Sequence, residues 1–300
     1  MCGNFLEYND PTISGKSLVY GLIGDPVDHS MSPVIQNAAF RSAGIGAVYV
    51  PFKVKQSALR SAIQGLLALG VRGFNVTAPH KVNVIRYLDK VDRTSTEISS
   101  VNTVLNESGT LLGYDTDGLG ALKALEEAGA QLERKSVLLF GAGGASRAIA
   151  YTFAPRVRAI QLVNRTLSKA KQLERRLRKK FNIEIESAAP SSNLLRDFVE
   201  NADIIVNASS MGMDGKADPP IEGRWLHPGQ CVFDIVYRPL ETKLLKLAGL
   251  AGAKTISGLD MLVNQGACSF EFWTGREAPI LEMRHAIAQK LLAMAYAKSS

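Results

Sequence analysis

Val137-Leu-Leu-Phe-Gly141-Ala-Gly143-Gly144-Ala145 is an apolar run that breaks into a glycine-rich turn. A short apolar run bounded by a turn reads as a strand buried on both faces. A helical stretch follows, and a second apolar run, residues 159–163, begins about 20 residues on. Strand, glycine turn, helix and strand make the opening of a dinucleotide-binding unit. Glycine allows positive φ and lets backbone approach a pyrophosphate closely. The helix behind the turn presents free N–H donors and partial positive charge to that anion. The sixth position of the G-x-G-x-x-G pattern is Ser146, so the fit is partial. The competing reading is a tight structural turn with no ligand.

The end of the second strand selects the cofactor. NAD-binding units usually place Asp or Glu there to accept from the ribose 2′-hydroxyl. This chain has Val163-Asn164-Arg165-Thr166, with Lys169 one turn later, and no acid. Arg165 and Lys169 can pair with a 2′-phosphate, and Asn164 and Thr166 can hydrogen-bond to it. NADP is therefore expected over NAD.

Working outward, residues 183–186, 203–207 and 231–235 read as further strands, with 255–256 as a sixth. A helix is expected over 122–129, ending in a glycine C-cap. Upstream, strands are expected at 18–23, 47–54 and 73–76, and helices at 32–42 and 57–69. In the second helix Leu59, Ile63, Leu66 and Leu67 share a face. Strands separated by helices imply βαβ units and a mainly parallel sheet. Residues 102–106 and 110–114 read as a hairpin across Glu-Ser-Gly. From Gly258 onward the pattern is helical, with Ile287, Leu291 and Met294 on one stripe, and this tail is expected to return to the first domain. The expected division is residues 1–117 with 258–300, and 118–257.

The chain has 300 residues, enough for two domains. Hydrophobic content of 46% and charged content of 21% are those of a soluble globular chain. A net charge of +7 favours anionic ligands: nucleic acid, membrane lipid, or phosphorylated and carboxylated small molecules. Much of the excess is local, with eight basic residues against the single acid Glu174 between Arg165 and Lys180. That run reads first as a solvated helix face. As a nucleic-acid surface it lacks interleaved aromatics, and Arg165 and Lys169 have the cofactor to serve. No apolar run approaches the roughly 20 residues that span a bilayer, and residues 1–16 form a polar, loose tail with no apolar leader core. Cys2, Cys231 and Cys268 are few and widely spaced, which fits a reducing cytosol rather than a disulfide framework. The four histidines show no metal-ligand spacing, so no metal is expected. The expectation is a cytoplasmic protein with a small-molecule substrate, and no nucleic acid or membrane partner.

Several polar strings are too dense in functional groups for plain loops. They are Gly24-Asp-Pro-Val-Asp-His29-Ser30-Met-Ser32-Pro33, Asn75-Val-Thr77-Ala-Pro-His-Lys81, Val101-Asn102-Thr103, Asp115-Thr-Asp117-Gly118, Asp234-Ile-Val-Tyr237-Arg-Pro239-Leu240 and Met261-Leu-Val-Asn-Gln265-Gly-Ala. In this order the strings resemble the shikimate dehydrogenases, over about residues 18–275. The resemblance implies two α/β domains with a cleft between them: an N-terminal substrate domain completed by the C-terminal helices, and a Rossmann-type NADP domain. It implies reversible NADPH-dependent reduction of 3-dehydroshikimate to shikimate, in aromatic amino-acid (chorismate) biosynthesis, by a monomer or homodimer.

Residue by residue, Lys81 and Asp117 fall on the family's catalytic pair. Ser30 and Ser32 fall on its substrate-carboxylate serines, with Tyr237 as a third donor. Thr77, Asn102 and Gln265 fall on positions that contact the ring hydroxyls. The cofactor positions fall on Gly141, Ala142, Gly143, Gly144 and Ala145, on Asn164, Arg165, Thr166 and Lys169, and on Ser209, Ile235 and Gly258. Two other readings stand beside this one. One is a quinate/shikimate dehydrogenase with relaxed substrate or cofactor choice. The other is a catalytically idle NADP-binding regulatory protein on the same fold.

The chemistry is readable from the residues themselves. Hydride transfer to a ketone leaves negative charge developing on oxygen, which an ammonium can stabilise and protonate. Free lysine has a pKa of about 10.4, and a neighbouring aspartate raises it further. Orientation and electrostatics are therefore the role read for Lys81, rather than acid/base work alone. A plain surface ion pair is the competing role. Ser32, just before Pro33, is also a natural helix N-cap. The chain departs from the family at Gln36, at Asp115, which sets a second carboxylate near Asp117, and at Arg238, which adds a cation beside Tyr237.

Overall fold

The computed structural model describes residues 13–214 and 216–299, with side chains to 294. Cys2 and the first twelve residues of the expected tail lie outside the described residues. Packing divides the chain into two compact units. The first takes the described residues up to Lys90, Thr103–Leu112, and those from Ser269 on. The second takes Val91–Asn102 and Gly113–Cys268.

One sheet contains β1 (Leu18–Gly24), β2 (Ala47–Lys53), β3 (Gly73–Val76), β4 (Lys90–Val91), β5 (Thr103–Glu107) and β6 (Thr110–Tyr114), in the order β2-β1-β3-β5-β6-β4. Helices α1 (Ser32–Ser42) and α2 (Leu59–Ala68) link β1 to β2 and β2 to β3, and α3 (Arg93–Ile98) follows β4. β1 runs parallel to both β2 and β3, as the helical crossovers require. β5 runs antiparallel to β3 with Asn75 opposite Thr103, so the sheet is parallel on one side and mixed on the other. The turn joining β5 to β6 has positive φ at Ser108 (51°) and Gly109 (96°), the pair of left-handed residues a two-residue hairpin needs.

Aromatic packing ties this unit together: Tyr20 stacks on Phe40 at 4.9 Å and meets Trp273 at 5.1 Å between ring centres. Gly73 is glycine because a Cβ there would stand 2.4 Å from the Trp273 indole nitrogen, which donates to the Val104 carbonyl. Leu59, Ile63 and Leu66 of α2 are buried, but Leu67 is exposed, so the apolar stripe is narrower than its sequence suggests. The final helix, α10 (Ile280–Ser299), packs along α1 within the same unit.

The second sheet contains β7 (Ser136–Phe140), β8 (Ala159–Val163), β9 (Glu184–Ala188), β10 (Ile204–Asn207), β11 (Cys231–Asp234) and β12 (Lys254–Ser257). Its order is β12-β11-β10-β7-β8-β9, and the pairings are parallel. Strand order reverses around β7, where open α/β sheets form their ligand crevice. Helices α4 (Asp117–Glu127), α5 (Gly144–Phe153), α6 (Leu167–Arg178), α7 (Leu194–Asn201), α8 (Lys243–Leu250) and α9 (Gly258–Thr274) accompany it. Along β7 the side chains alternate: Val137 and Leu139 join one apolar cluster with Ile149 and Phe153, while Leu138 and Phe140 join another with Phe198 and Leu244. Each fully buried side chain of this size contributes about 1.5–3 kcal/mol.

Helix α4 begins at Asp117, earlier than residue 122, because two residues that read as helix breakers are packing residues. A Cβ on Gly118 would meet Thr152 Oγ1 at 2.0 Å, and one on Gly120 would meet Gln265 at 2.7 Å.

Candidate active site

The turn after β7 has the geometry of an anion cradle. Gly141 holds φ at 114°, and a Cβ there would stand 2.7 Å from the Ala208 carbonyl oxygen, so no other residue fits. Ser146, at the position where the pattern expects a third glycine, is fully buried, and its hydroxyl donates to the Gly141 carbonyl at 2.7 Å. The serine thus closes the turn that a glycine would only have accommodated. Gly143 precedes α5, is exposed, and has nothing within 4 Å of an added Cβ. Packing does not explain that glycine. An anion approaching the free N–H groups of the α5 N-terminus does, and Gly144 and Ala145 supply two of those groups.

At the end of β8, Asn164 donates from its side chain to the Thr166 carbonyl at 2.8 Å, which fixes the bend into α6. Arg165 and Lys169 are exposed, and among the described residues neither has an ion-pair partner. Two unpaired cations beside a strand end that lacks a carboxylate suit a 2′-phosphate. The rest of the basic run is largely occupied within its own unit. Arg176 donates to the Glu97 carbonyl and Ser99 Oγ, Arg178 pairs with Glu174, and Lys180 pairs with Glu97.

The ends of β10 and β11 are laced by one buried carboxylate. Asp234 Oδ1 accepts from Asn207 Nδ2 at 2.9 Å and from the Val236 amide at 3.0 Å, and Oδ2 accepts from Thr242 Oγ1 at 2.7 Å. Burial pushes the Asp234 pKa up to about 6, against the downward pull of those three bonds. Asn207 in turn accepts from the Ser209 hydroxyl at 2.7 Å and donates to the Met211 carbonyl, so Ser209 is fixed in its loop. The Ile235 amide donates to the Asn207 carbonyl, and Gly258 packs so close that a Cβ would meet the Ile235 oxygen at 2.2 Å. Ser209, Ile235 and Gly258 therefore share one neighbourhood. Tyr237 follows it, half-buried. Arg238 pairs with Asp214 at 3.5 Å, so its charge is engaged on the neighbouring turn.

Asp117 lies at the N-terminus of α4, buried, where the helix dipole favours a carboxylate. Asn102 Nδ2 donates to Asp117 Oδ1 at 2.7 Å, and Asn102 Oδ1 accepts from the Thr116 amide at 2.9 Å. Asn102 Nδ2 also donates to Gln265 Oε1 at 3.4 Å. Asp115 Oδ1 accepts from the Asp117 amide at 3.0 Å, so this second carboxylate shapes the turn. Asn102, Asp117 and Gln265 thus belong to one hydrogen-bonded group.

The remaining site residues lie in the first unit. The string at 24–33 is laced to the string at 75–81. The Asp25 amide donates to the Ala78 carbonyl at 3.0 Å, and a Cβ on Gly24 would meet the Thr77 methyl at 2.3 Å. His80, buried beside Lys81, bonds through Nε2 to the Val54 carbonyl at 2.7 Å, and the Val54 amide donates to the Gly24 carbonyl. Lys81 is half-buried on this braced turn, and Thr77 is half-buried at its start. The capping expectation for Ser32 fails. The N-cap of α1 is Met31, without a side-chain bond, and the Ser32 amide donates to Ser30 Oγ at 3.2 Å. Ser32 occupies the first helical position. Sequence reasoning passed over Asn207 and Thr242 as site-forming residues, and gave Asp234 no role although it opens one of the quoted strings. Asp234 and Asn207 carried a signal in being polar at the ends of apolar strands.

Among the described residues no cluster suits a metal ion, and no helix is long and apolar enough to cross a membrane. Fold and cradle together define an α/β protein with a Rossmann-type dinucleotide-binding unit. Comparison with known proteins narrows this. Residues 22–104 match the family model for the shikimate dehydrogenase substrate binding domain, residues 123–213 that for shikimate / quinate 5-dehydrogenase, and residues 258–288 that for the shikimate 5'-dehydrogenase C-terminal domain. The NADP(+) shikimate dehydrogenase of Pyrococcus furiosus is 47% identical over 91% of this chain and 96% of its own length. That of Methanocaldococcus jannaschii is 43% identical over 93% of this chain and 99% of its own. A solved shikimate dehydrogenase in complex with NADP+ superposes with a TM-score of 0.86 at 42% identity, covering 93% of this chain and 97% of the other. The chain belongs to the shikimate dehydrogenase family.

Proposed function

We propose that this chain is an NADP-dependent oxidoreductase that reduces 3-dehydroshikimate to shikimate, reversibly, in chorismate biosynthesis. The observation that carries the reading is the buried Asp117 carboxylate, aimed by Asn102 at 2.7 Å in the same unit as the cradle after β7. A carboxylate buried and oriented this tightly suits a defined substrate hydroxyl, which an idle binding protein would not need.

NADPH, when bound, supplies the hydride. Gly141, Ala142, Gly143, Gly144 and Ala145 would hold its pyrophosphate, and Asn164, Arg165, Thr166 and Lys169 would hold the 2′-phosphate. Ser209, Ile235 and Gly258 would complete the cofactor site. Ser30 and Ser32, with Tyr237, donate to the substrate carboxylate. Thr77, Asn102 and Gln265 contact its ring hydroxyls. Lys81 sets positive charge against the oxygen that becomes an alkoxide, and Asp117 fixes the hydroxyl and the proton exchanged there. In domain terms, residues 1–117 with 258–300 take the substrate and 118–257 take NADP. A cytoplasmic setting and a monomer or homodimer go with this assignment.

The test is direct. The purified chain should consume NADPH when 3-dehydroshikimate is added. No consumption, with turnover of quinate and NAD+ in its place, overturns the assignment.

A further inference from the structure

One set of buried polar groups holds both the loop after β10 and the loop after β11. Asn207 and Asp234 end these neighbouring strands and are paired in register, and Thr242 caps α8. Asn207 and Asp234 are fully buried, and Thr242 is 1% exposed. The Asn207 side chain is saturated. Its Oδ1 accepts from the Ser209 amide at 3.2 Å and from the Ser209 hydroxyl at 2.7 Å. Its Nδ2 donates to the Met211 carbonyl at 3.0 Å and to Asp234 Oδ1 at 2.9 Å. Ser209 Oγ in turn accepts from the Met211 amide at 3.1 Å. Thr242 Oγ1 donates to Asp234 Oδ2 and accepts from the Leu245 amide at the start of α8. All these residues lie in the second unit, with the turn after β7.

Backbone groups fix the direction of these bonds. A backbone N–H only donates and a carbonyl only accepts. The Ser209 amide therefore requires Asn207 Oδ1, and the Met211 carbonyl requires Asn207 Nδ2. The second hydrogen of that nitrogen goes to position 234, where the Val236 amide also arrives as a donor. Position 234 must therefore accept both bonds, and an apolar side chain accepts none. The loop so fixed packs on the cradle. The Ala208 amide, next to Asn207, donates to the Phe140 carbonyl at 2.9 Å, and the Ala208 oxygen would stand 2.7 Å from a Cβ on Gly141. A buried carboxylate is a poor source of stability. Strand ends on this edge of an open α/β sheet are where ligands bind, so the use of the carboxylate is placement.

We propose that Asp234 is a positioning residue for the dinucleotide: by aiming Asn207 it presets the 208–211 loop against Gly141 before the cofactor arrives. A loop that must be ordered on binding weakens affinity, and a preset one does not. This rests on the reading of residues 141–145 as the pyrophosphate cradle. A purely structural clamp would change stability and leave the cofactor affinity of the folded protein alone.

The experiment measures Kd for NADP+ by titration calorimetry in D234N, D234A, N207A, the D234A/N207A double variant and G143D. D234A and N207A should each raise Kd about 10-fold, the scale of a hydrogen bond to a charged group. D234N keeps the acceptor and should restore binding to within about threefold of wild type. The double variant should bind no more weakly than the weaker single one, because both changes open one clamp. Gly143 is exposed with nothing within 4 Å of an added Cβ, so an aspartate fits there and repels a pyrophosphate. G143D should raise Kd about 10-fold or more. If G143D binds normally, the cradle reading falls and takes the clamp with it. If G143D binds weakly while folded D234A and N207A bind as wild type, the clamp alone falls. Effects of D234A and N207A that multiply, or D234N as weak as D234A, also overturn the proposal. Should D234A and N207A not fold, amide hydrogen exchange of the wild type decides. Residues 208–211 should already exchange slowly without cofactor; fast exchange that slows only with NADP+ overturns the preset loop.

Discussion

Replacing Asp234 by asparagine turns a buried ionisation in the second unit into a measurable pH dependence. The carboxylate is fully buried, and burial lifts its pKa from 3.8 to about 6. A difference of about two units corresponds to about 3 kcal/mol, at ~1.36 kcal/mol per unit. Because the folded-state value is the higher one, the protonated group stabilises the fold fully below about pH 3.8. That stabilisation is lost as pH rises through about 6. Asparagine keeps the acceptor for Asn207 and Val236, carries no charge at any pH, and presents an amide to Thr242 where the carboxylate accepted. Rearranging that bond costs about 1 kcal/mol independently of pH. The stability of the wild type relative to Asp234→Asn should therefore fall by about 3 kcal/mol between about pH 4 and pH 7 and level off above. Urea denaturation across that range measures it. A difference that stays flat with pH refutes the buried, late-ionising carboxylate.

Lys81→Ala should lower kcat by at least ~10²-fold with the fold intact, the low end for groups that handle protons and developing charge. Near-wild-type turnover would reject its role. Arg165→Ala should raise KM for NADP+ about 10-fold or more while barely moving that for NAD+, since a charge-assisted bond to phosphate is at stake; equal effects on both would remove the 2′-phosphate assignment. Gly141→Ala should cost about 3 kcal/mol or more, from a side chain forced to positive φ and pressed against the Ala208 carbonyl, and calorimetry against wild type checks it.

The nucleotide unit was readable from residues 137–145 because one strand, one turn and one helix carry its signal within nine residues. The hairpin was readable for the same reason, since Ser108 and Gly109 fix it locally. What escaped depends on contacts between distant segments. Gly118 and Gly120 look like helix breakers until Thr152 and Gln265 press on them. Short α3, capped by Asp92, has too few residues to show a period. Ser32 looks like a cap because proline follows it, but the N-cap position falls on Met31 and Ser32 is the first helical residue. The buried Tyr49–Asn75–Thr103–Ser269 chain draws single residues from four places, and no local pattern announces it. Asp115, an apparent intruder beside Asp117, proves to brace the turn by accepting its amide.

The central claim is an oxidoreductase that joins a 2′-phosphorylated cofactor to shikimate, and one crossed kinetic panel tests it: kcat/KM for shikimate and for quinate, each with NADP+ and with NAD+. Shikimate with NADP+ should lead, and replacing NADP+ by NAD+ should cost about 10-fold or more, the loss of charge-assisted bonds at Arg165 and Lys169. Quinate with NAD+ as the fastest pair would contradict the account.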